Sequence, residues 1–326
     1  MSLNNTGEVH SPSNITGKRL NDRKTQWKKD FTKNWPMYLL FIPVFVYFLI
    51  FCYLPMQGVV IAFKDYNLRQ GIWGSDWTMD NFAKLFGDPQ AFNALRNTLA
   101  MAFLNLTIGF LFPVIFALFL SEVRFLPVRK SIQSISYMPN FVATVVIVTL
   151  MQQFFDEKGA ITQLLVTVFG MEEKNLLAEN SPGFWFVNMF ADAWQGTGYA
   201  AIVFVSAISS VNGNLYEAAA MDGANRIQRM LRITLPCILP TIITMFTLKV
   251  GNVFKTGFDK IMLLYMPAAN LEYADVLQSY IYRMSFEGKA DYGLSAALGL
   301  FQSVVSTILL LGSNKLSKKF SDSSLF

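Results

Sequence analysis

The sequence predicts an all-α integral membrane protein of six transmembrane helices with both termini in the cytoplasm. Three observations lead there. The chain of 326 residues is 53% hydrophobic and only 15% charged, with a mean hydropathy of +0.36, more apolar than a soluble chain of this size needs. It holds six long stretches nearly free of charge, at about 37–63, 97–121, 131–155, 184–211, 237–263 and 292–314, each long enough to cross a hydrocarbon core of about 30 Å at roughly 20 residues per helix. Its lysines and arginines gather in alternate connecting segments.

Taken in order, the first span comes after a basic segment, residues 1–34, rich in Ser, Asn and Gly at its start and expected to be disordered. The second and third spans flank a short loop with Arg124, Arg129 and Lys130. The fourth is uncharged except for Asp192, and the fifth carries Lys249, Lys255 and Asp259. Prolines 43, 55, 113 and 240 lie inside spans, where neighbouring helices can satisfy the carbonyls they free. The sixth span leads to Lys315, Lys318 and Lys319 and a tail at 317–326. With the N-terminus inside, these basic clusters and Arg226, Arg229 and Arg232 all fall on one side, and the loops at about 64–93, 156–183 and 264–291 lie outside with fewer. That asymmetry sets the orientation, and it accounts for the net charge of +5 as topology and lipid contact, not nucleic-acid binding. Short helices such as Ile161–Phe169 fit in the outer loops. The transmembrane domain is thus 35–316, and its first apolar run is too long and too late for a secretory signal.

Composition also limits the chemistry. Cys52 and Cys237 are far apart in apolar surroundings and read as small core residues. The one histidine, His10, lies in the polar opening segment, so histidine triads and zinc sites are excluded. No phosphate-cradling Gly-rich motif is present, so the chain binds no nucleotide by that device, and no bound cofactor or metal is expected.

The loop at 212–236 is the most informative segment. Asn214 can cap a helix whose Glu217 reaches back to it, and Gly223 suits a left-handed stop. Alanines 218, 219 and 220 leave room for close approach of another surface, Arg226, Arg229 and Arg232 come next at helical spacing, and Pro236 marks the start of the fifth span. Physics alone leaves two readings: a capped juxtamembrane helix pair with a topology cluster, or a docking element. The pattern Glu217-Ala218-Ala219, three residues, Gly223, nine residues, Ile233-Thr234-Leu235-Pro236 resembles the complete EAA signature of ATP-binding-cassette (ABC) importer permeases. Tyr53-Leu-Pro-Met-Gln-Gly58, Ile61-Ala-Phe-Lys-Asp-Tyr-Asn67, Asn81-Phe-Ala-Lys-Leu-Phe86, Asn97-Thr-Leu99 and Tyr137-Met-Pro-Asn140 extend the resemblance to sugar permeases of the maltose type, most closely the polysaccharide or lipoprotein-linked branch, over about Trp35 to Asn314.

The resemblance implies a type I ABC importer permease fold, with Glu217, Ala218, Ala219, Asp222, Gly223 and Arg226 in a coupling helix that docks on a separate ATPase, and Ile233, Leu235 and Pro236 setting its angle to the membrane. It further implies a second permease subunit, two ATPase subunits that hold ATP and Mg, an extracytoplasmic substrate-binding protein and a carbohydrate substrate, all at a bacterial plasma membrane. The chain itself would then be no enzyme.

Ionisable groups inside spans are expensive and mark candidate pathways. If the fifth span is one helix, Lys249, Asn252, Lys255 and Asp259 share an arc of about 120°, fitting either a polar lining or pairing between helices, while Lys260 reads as interfacial. In the fourth span, Asp192-Ala-Trp194-Gln195-Gly196-Thr-Gly-Tyr199 mixes the donors, acceptors and aromatic rings that sugars bind. It resembles the Asn-x-Trp-x-Gly-x-x-Tyr stretch of the maltose permease, with Asp and Gln as departures that leave the sugar open; glycerol phosphate, a polyol or an anionic sugar is the alternative. The competing structural reading is that Gly196 and Gly198 allow close helix packing and that Trp194 and Tyr199 are core or interface aromatics. An integral-membrane enzyme would need clustered catalytic groups that are missing here.

Overall fold

The computed structural model describes residues 13–254, 257–264, 266, 268–288 and 290–320, with side chains from Phe31 to Lys318 apart from those same gaps. The chain divides into two units, Met1–Gly58 and Val59–Phe326. In the first unit, α1 runs from Ser13 to Phe48 and leaves helical geometry at Asn34 (φ −109°, ψ 16°). The helix reaches back into the segment expected to be a disordered tail, because nothing between Ser13 and Asn34 breaks it; His10 lies outside the described residues. Leu49–Tyr53 then forms a π turn, closed by the Leu54 N–H on the Leu49 carbonyl, and a 3₁₀ segment begins at Leu54. Pro55 supplies the cause: its ring would clash with the carbonyl four residues back and it has no N–H to give, so the turn before it widens. Side chains 35–57 are all exposed, as befits a helix meant for lipid or another protein.

The second unit holds α2 (Gly71–Gly74), α3 (Asp80–Gly87), α4 (Pro89–Ser121), α5 (Leu126–Tyr137), α6 (Thr144–Phe155), α7 (Ala160–Phe169), α8 (Gly183–Ser209), α9 (Gly213–Met221), α10 (Arg226–Arg229), α11 (Leu235–Gly251), α12 (Phe258–Leu264), α13 (Leu271–Ala274), α14 (Leu277–Phe286) and α15 (Tyr292–Phe320). Among the described residues the only β feature is the isolated bridge Lys64–Trp77. Four helical stretches are long and apolar enough to cross a membrane: Phe31–Phe63, Pro89–Ser121, Arg226–Gly251 and Tyr292–Lys318. Two bent pairs, Leu126–Phe141 with Thr144–Phe169 (97°) and Gly183–Ser209 with Gly213–Met221 (70°), raise the number to six if each counts as one span.

Three expectations need correction. The third span is not one straight helix: Pro139 lies in a 3₁₀ turn at Met138–Phe141, Val142 is extended, and α6 leaves at a steep angle. The fifth span stops at Gly251, and α12 starts at Phe258, after Gly257 at φ +65°. Both cysteines are free and exposed, since they sit on outward faces of apolar helices and not in the core.

The packing centres on α4 against α8. One core joins Phe110, Val114 and Ala117 to Ala201, Phe204 and Ile238, tying α4, α8 and α11. A second joins Met101, Ile147, Met151, Phe184 and Ile261, bringing α6 and α12 onto the same pair. A third sets α14 and α15 against the start of α4 through Ala94, Leu277, Tyr280 and Leu298. Small residues make the close approaches, as is general where lipid removes a hydrophobic drive between helices. At Gly198 a Cβ would collide with the Ser136 carbonyl oxygen, so the crossing of α5 and α8 admits no side chain there.

Candidate functional site

Two regions collect the polar groups of the spans and of the loop between the fourth and fifth. In the first, Asn188, Asp192, Gln195 and Tyr199 recur on α8 at spacings of four, three and four, within an arc of about 60°. The Asp192 carboxylate accepts from Asn105 Nδ2 and Asn188 Nδ2, each at 3.4 Å, and forms an ion pair with Lys260. Lys260 is 4% exposed, and its burial is tolerable because the carboxylate meets it. The interfacial reading of Lys260 is therefore replaced: α12 is a separate helix packed with α6 against α4 and α8, and its lysine meets Asp192 of α8. Lys249 stands half-buried in the last turn of α11, its Nζ 5.8 Å from the Phe110 ring centroid and within electrostatic reach of Asp192.

Further along the stripe, Gln195 Nε2 approaches the Val142 carbonyl at 3.5 Å and Tyr199 meets Phe141 edge to face at 6.3 Å. Both contacts fall on the break between α5 and α6. Trp194 lies elsewhere: it borders an apolar cavity of about 460 Å³ with Phe112, Ile135, Pro139 and Phe190, well around the helix from Asp192. The two glycines also differ, because Gly196 has open space where a Cβ would be and Gly198 has none. The polar face expected of the fifth span does not hold as one arc. Asn252 is the exposed cap of α11 and donates to the Leu248 carbonyl at 3.1 Å, Asp259 lies in the first turn of the separate α12, and Lys255 is outside the described residues.

The second region is the loop from α9 to α11. Its cap is Asn212, not Asn214: the Asn212 side chain accepts from the Asn214 N–H at 3.0 Å, while Glu217 is exposed and makes no side-chain bond among the described residues. The sequence offers two asparagines ahead of Glu217, and extended backbone at residue 212 decides between them. The end of α9 is as expected. Gly223 takes φ +77°, with its N–H on the Ala220 carbonyl and the Ala224 N–H on the Ala219 carbonyl, a Schellman closure that needs the left-handed residue. Asn225 and Gln228 then cap α10 reciprocally at 2.8 and 2.9 Å. Met230–Thr234 is a π turn closed by the Leu235 N–H on the Met230 carbonyl, and Pro236 stands in the first turn of α11. This repeats the arrangement before Pro55, for the same reason.

Glu217, Ala218, Asp222, Gly223, Arg226 and Pro236 are all at least partly open to solvent, as are Ala219, Ile233 and Leu235. Met221 at 89% and Ile227 at 64% exposed add apolar knobs to this face. Tyr216 ties the element to the membrane helices, its hydroxyl 2.9 Å from that of buried Thr234. Nothing in the sequence marks Tyr216 or Asn105 for these contacts, whereas Asn188, one turn before Asp192 on the same face, carries a spacing signal.

Residues in the loop 264–291 fasten it to α4. Asn97 Nδ2 donates to the Glu272 and Asp275 carbonyls at 2.8 Å each, the Leu277 N–H donates to Thr98 Oγ1 at 2.8 Å, Asp275 pairs with Arg283, and Tyr280 donates to Asp88. Burial pushes the Asp275 carboxyl up, against the pull of Ser279 and Arg283, and burial with the Asp88 carboxylate raises the Tyr280 phenol. A polar cleft of about 300 Å³ opens here between Gln90, Asn180, Glu272 and Arg283.

Comparison with known proteins gives a consistent result. Protein LplB of Bacillus subtilis (strain 168) is 42% identical over 294 residues, covering 89% of this chain and 91% of the relative. The polygalacturonan/rhamnogalacturonan transport system permease protein YteP of the same organism is 37% identical over 293 residues, covering 89% and 90%. The crystal structure of a bacterial ABC transporter involved in the import of the acidic polysaccharide alginate contains a chain that matches with a TM-score of 0.81 at 34% identity, over 91% of this chain and 99% of that one. Residues 109–322 match the family described as binding-protein-dependent transport system inner membrane component, and with a capped loop at 212–236, broken apolar helices and these relatives the chain belongs to that family of ABC importer permeases.

Proposed function

We propose that this chain is the membrane-spanning permease subunit of an ATP-driven importer for oligosaccharides or polysaccharide fragments in a bacterial plasma membrane. It crosses six times with both termini inside, residues 35–316 forming the permease domain. The loop 212–236 docks on the ATPase through Glu217, Ala218, Ala219, Asp222, Gly223 and Arg226, and Ile233, Leu235 and Pro236 set its angle. A second permease subunit completes the pathway, two ATPase subunits bind ATP and Mg, and an extracytoplasmic binding protein delivers sugar to the outer loops around α13 and α14. ATP-driven closure of the ATPases turns the permease pair outward, and hydrolysis resets it. The α8 stripe of Asp192, Gln195 and Tyr199, with Gly196 leaving space beside it and Lys249 nearby, borders the sugar's route.

The observation that carries this reading is the α9–α10 element: rigidly terminated at both ends, exposed on its outer face, and tied by Tyr216 to the root of α11. A helix so constrained transmits displacement instead of absorbing it. The test is affinity purification from native membranes in mild detergent, followed by Glu217→Ala. An importer subunit brings a second permease and an ATPase with it, and the variant reaches the membrane but loses ATP-dependent uptake. Recovery of the chain alone after crosslinking at 217–232, or full activity of the variant, overturns the reading.

A further inference from the structure

Charge inside the spans is unevenly settled. Between residues 97 and 121 of α4, throughout α6 and between 292 and 314 of α15 there is no charged side chain, and α8 carries only Asp192. Asp192 is engaged: Lys260 pairs with its Oδ1, and the amides of Asn105 and Asn188 both approach its Oδ2 at 3.4 Å. On α12, Asp259 is adjacent in sequence to Lys260, hence on a different face of the helix. Lys249 is left as a half-buried ammonium with no carboxylate within ion-pair distance among the described residues, resting over Phe110. A cation held in that way within apolar helices attracts an anion.

We propose that Lys249 is the specificity-determining residue for substrates that carry carboxylates, namely oligosaccharides containing uronic acids, and that Lys260, by engaging the Asp192 carboxylate, leaves the Lys249 charge without a paired carboxylate of its own. This rests on the importer reading above. An ammonium contributes only a screened attraction in water but a strong charge-assisted contact in a drier passage. Asp192, paired with Lys260, does not repel the passing carboxylate as a bare aspartate would. A purely structural Lys249 is the competing role, since a cation in the last turn of α11 also suits the helix dipole.

The experiment uses the full importer, with its own binding protein and ATPase, in proteoliposomes. The probes are oligogalacturonates and alginate-derived oligouronates of three to five sugars, each beside its methyl ester, which keeps the shape and removes the charge. Uptake and ATP hydrolysis are read for wild type, Lys249→Met, Lys249→Arg and Asp192→Asn, and because every variant shares one binding protein, its preferences cancel in the comparison. The expected result is that Lys249→Met lowers the ratio of acid to ester uptake about tenfold, in keeping with the loss of one charge-assisted contact, that Lys249→Arg keeps most of the wild-type ratio, and that Asp192→Asn, which removes a nearby negative charge, holds or raises it. Equal loss of both probes in Lys249→Met, a fall of the ratio in Asp192→Asn, or a wild type that imports neutral oligosaccharides but no uronates overturns the assignment while leaving the importer intact. Failure of the wild type to couple ATP hydrolysis to uptake of any sugar overturns the importer reading itself.

Discussion

Lys260 shows how far a single residue's role depends on a partner that sequence spacing does not reveal. Asp192 stands out as a carboxylate in an apolar span, and Lys260, 68 positions on, looks in the sequence like a lysine near the membrane surface. They meet because α11 ends at Gly251 and Lys260 belongs to a separate helix, α12, a break that no periodicity carries. Breaking such a pair leaves a buried charge uncompensated, so Lys260→Met should cost about 3 kcal/mol. Adding Asp192→Asn to that variant should recover most of it, a coupling of about 1–3 kcal/mol. Thermal unfolding of the four members of the cycle in detergent measures both numbers, and additive losses would mean that the pair does not hold the helices. Gly198 belongs to the same scale. Gly198→Ala places a methyl carbon against the Ser136 backbone, and the overpacking should cost about 2 kcal/mol, whereas Gly196→Ala, with open space around it, should be nearly neutral; folded yield in detergent separates the two.

At the level of elements, hydropathy locates the apolar segments and capping chemistry locates the loop, but both are blind to breaks inside a span. Pro139 and Pro113 both interrupt apolar segments, yet α4 continues past Pro113 while α5 ends at Tyr137 and Pro139 falls in the 3₁₀ turn after it. The difference lies in the next few residues, since Val142 adopts extended backbone where the chain passes the crossing of α5 and α8. The arc of polar residues assigned to the fifth span fails for a related reason, because helical arithmetic assumes an unbroken helix and Asn252 caps this one. The loop element is more legible: Gly223 as its stop and Pro236 at the start of α11 can be read from the sequence, whereas the cap expected at Asn214 with Glu217 is instead made by Asn212, without Glu217. Its terminations can be tested separately. Asn212→Ala should destabilise α9 by about 1 kcal/mol and lower uptake modestly. Gly223→Val, which forces a β-branched residue to positive φ and removes the Schellman closure, should cost more than about 1 kcal/mol locally and abolish ATP-dependent uptake in protein that still inserts. Site-specific crosslinking from Met221 to the ATPase would fall with Gly223→Val and persist with Asn212→Ala.

On the scale of the second unit, the helices that carry the polar stripe also flank the loop proposed to dock on the ATPase. α8 bears Asp192 and Tyr199 and then turns by 70° into α9, while α11 bears Lys249 and begins just after Thr234. Tyr216→Phe keeps the ring and removes only the hydroxyl that meets Thr234. It should leave insertion and ATPase assembly intact and lower the sugar-stimulated part of ATP hydrolysis several-fold; stimulation at the wild-type level would show that the bond is idle. The geometry has a mechanical meaning as well. Helices α8 and α11 pack against each other, α9 leaves the foot of one, and the Tyr216 hydroxyl meets Thr234 at the foot of the other, so α9 spans the two. In the proposed importer, a push at the exposed edge of α9 would reach both helices at once, and with them Asp192 on the one and Lys249 on the other.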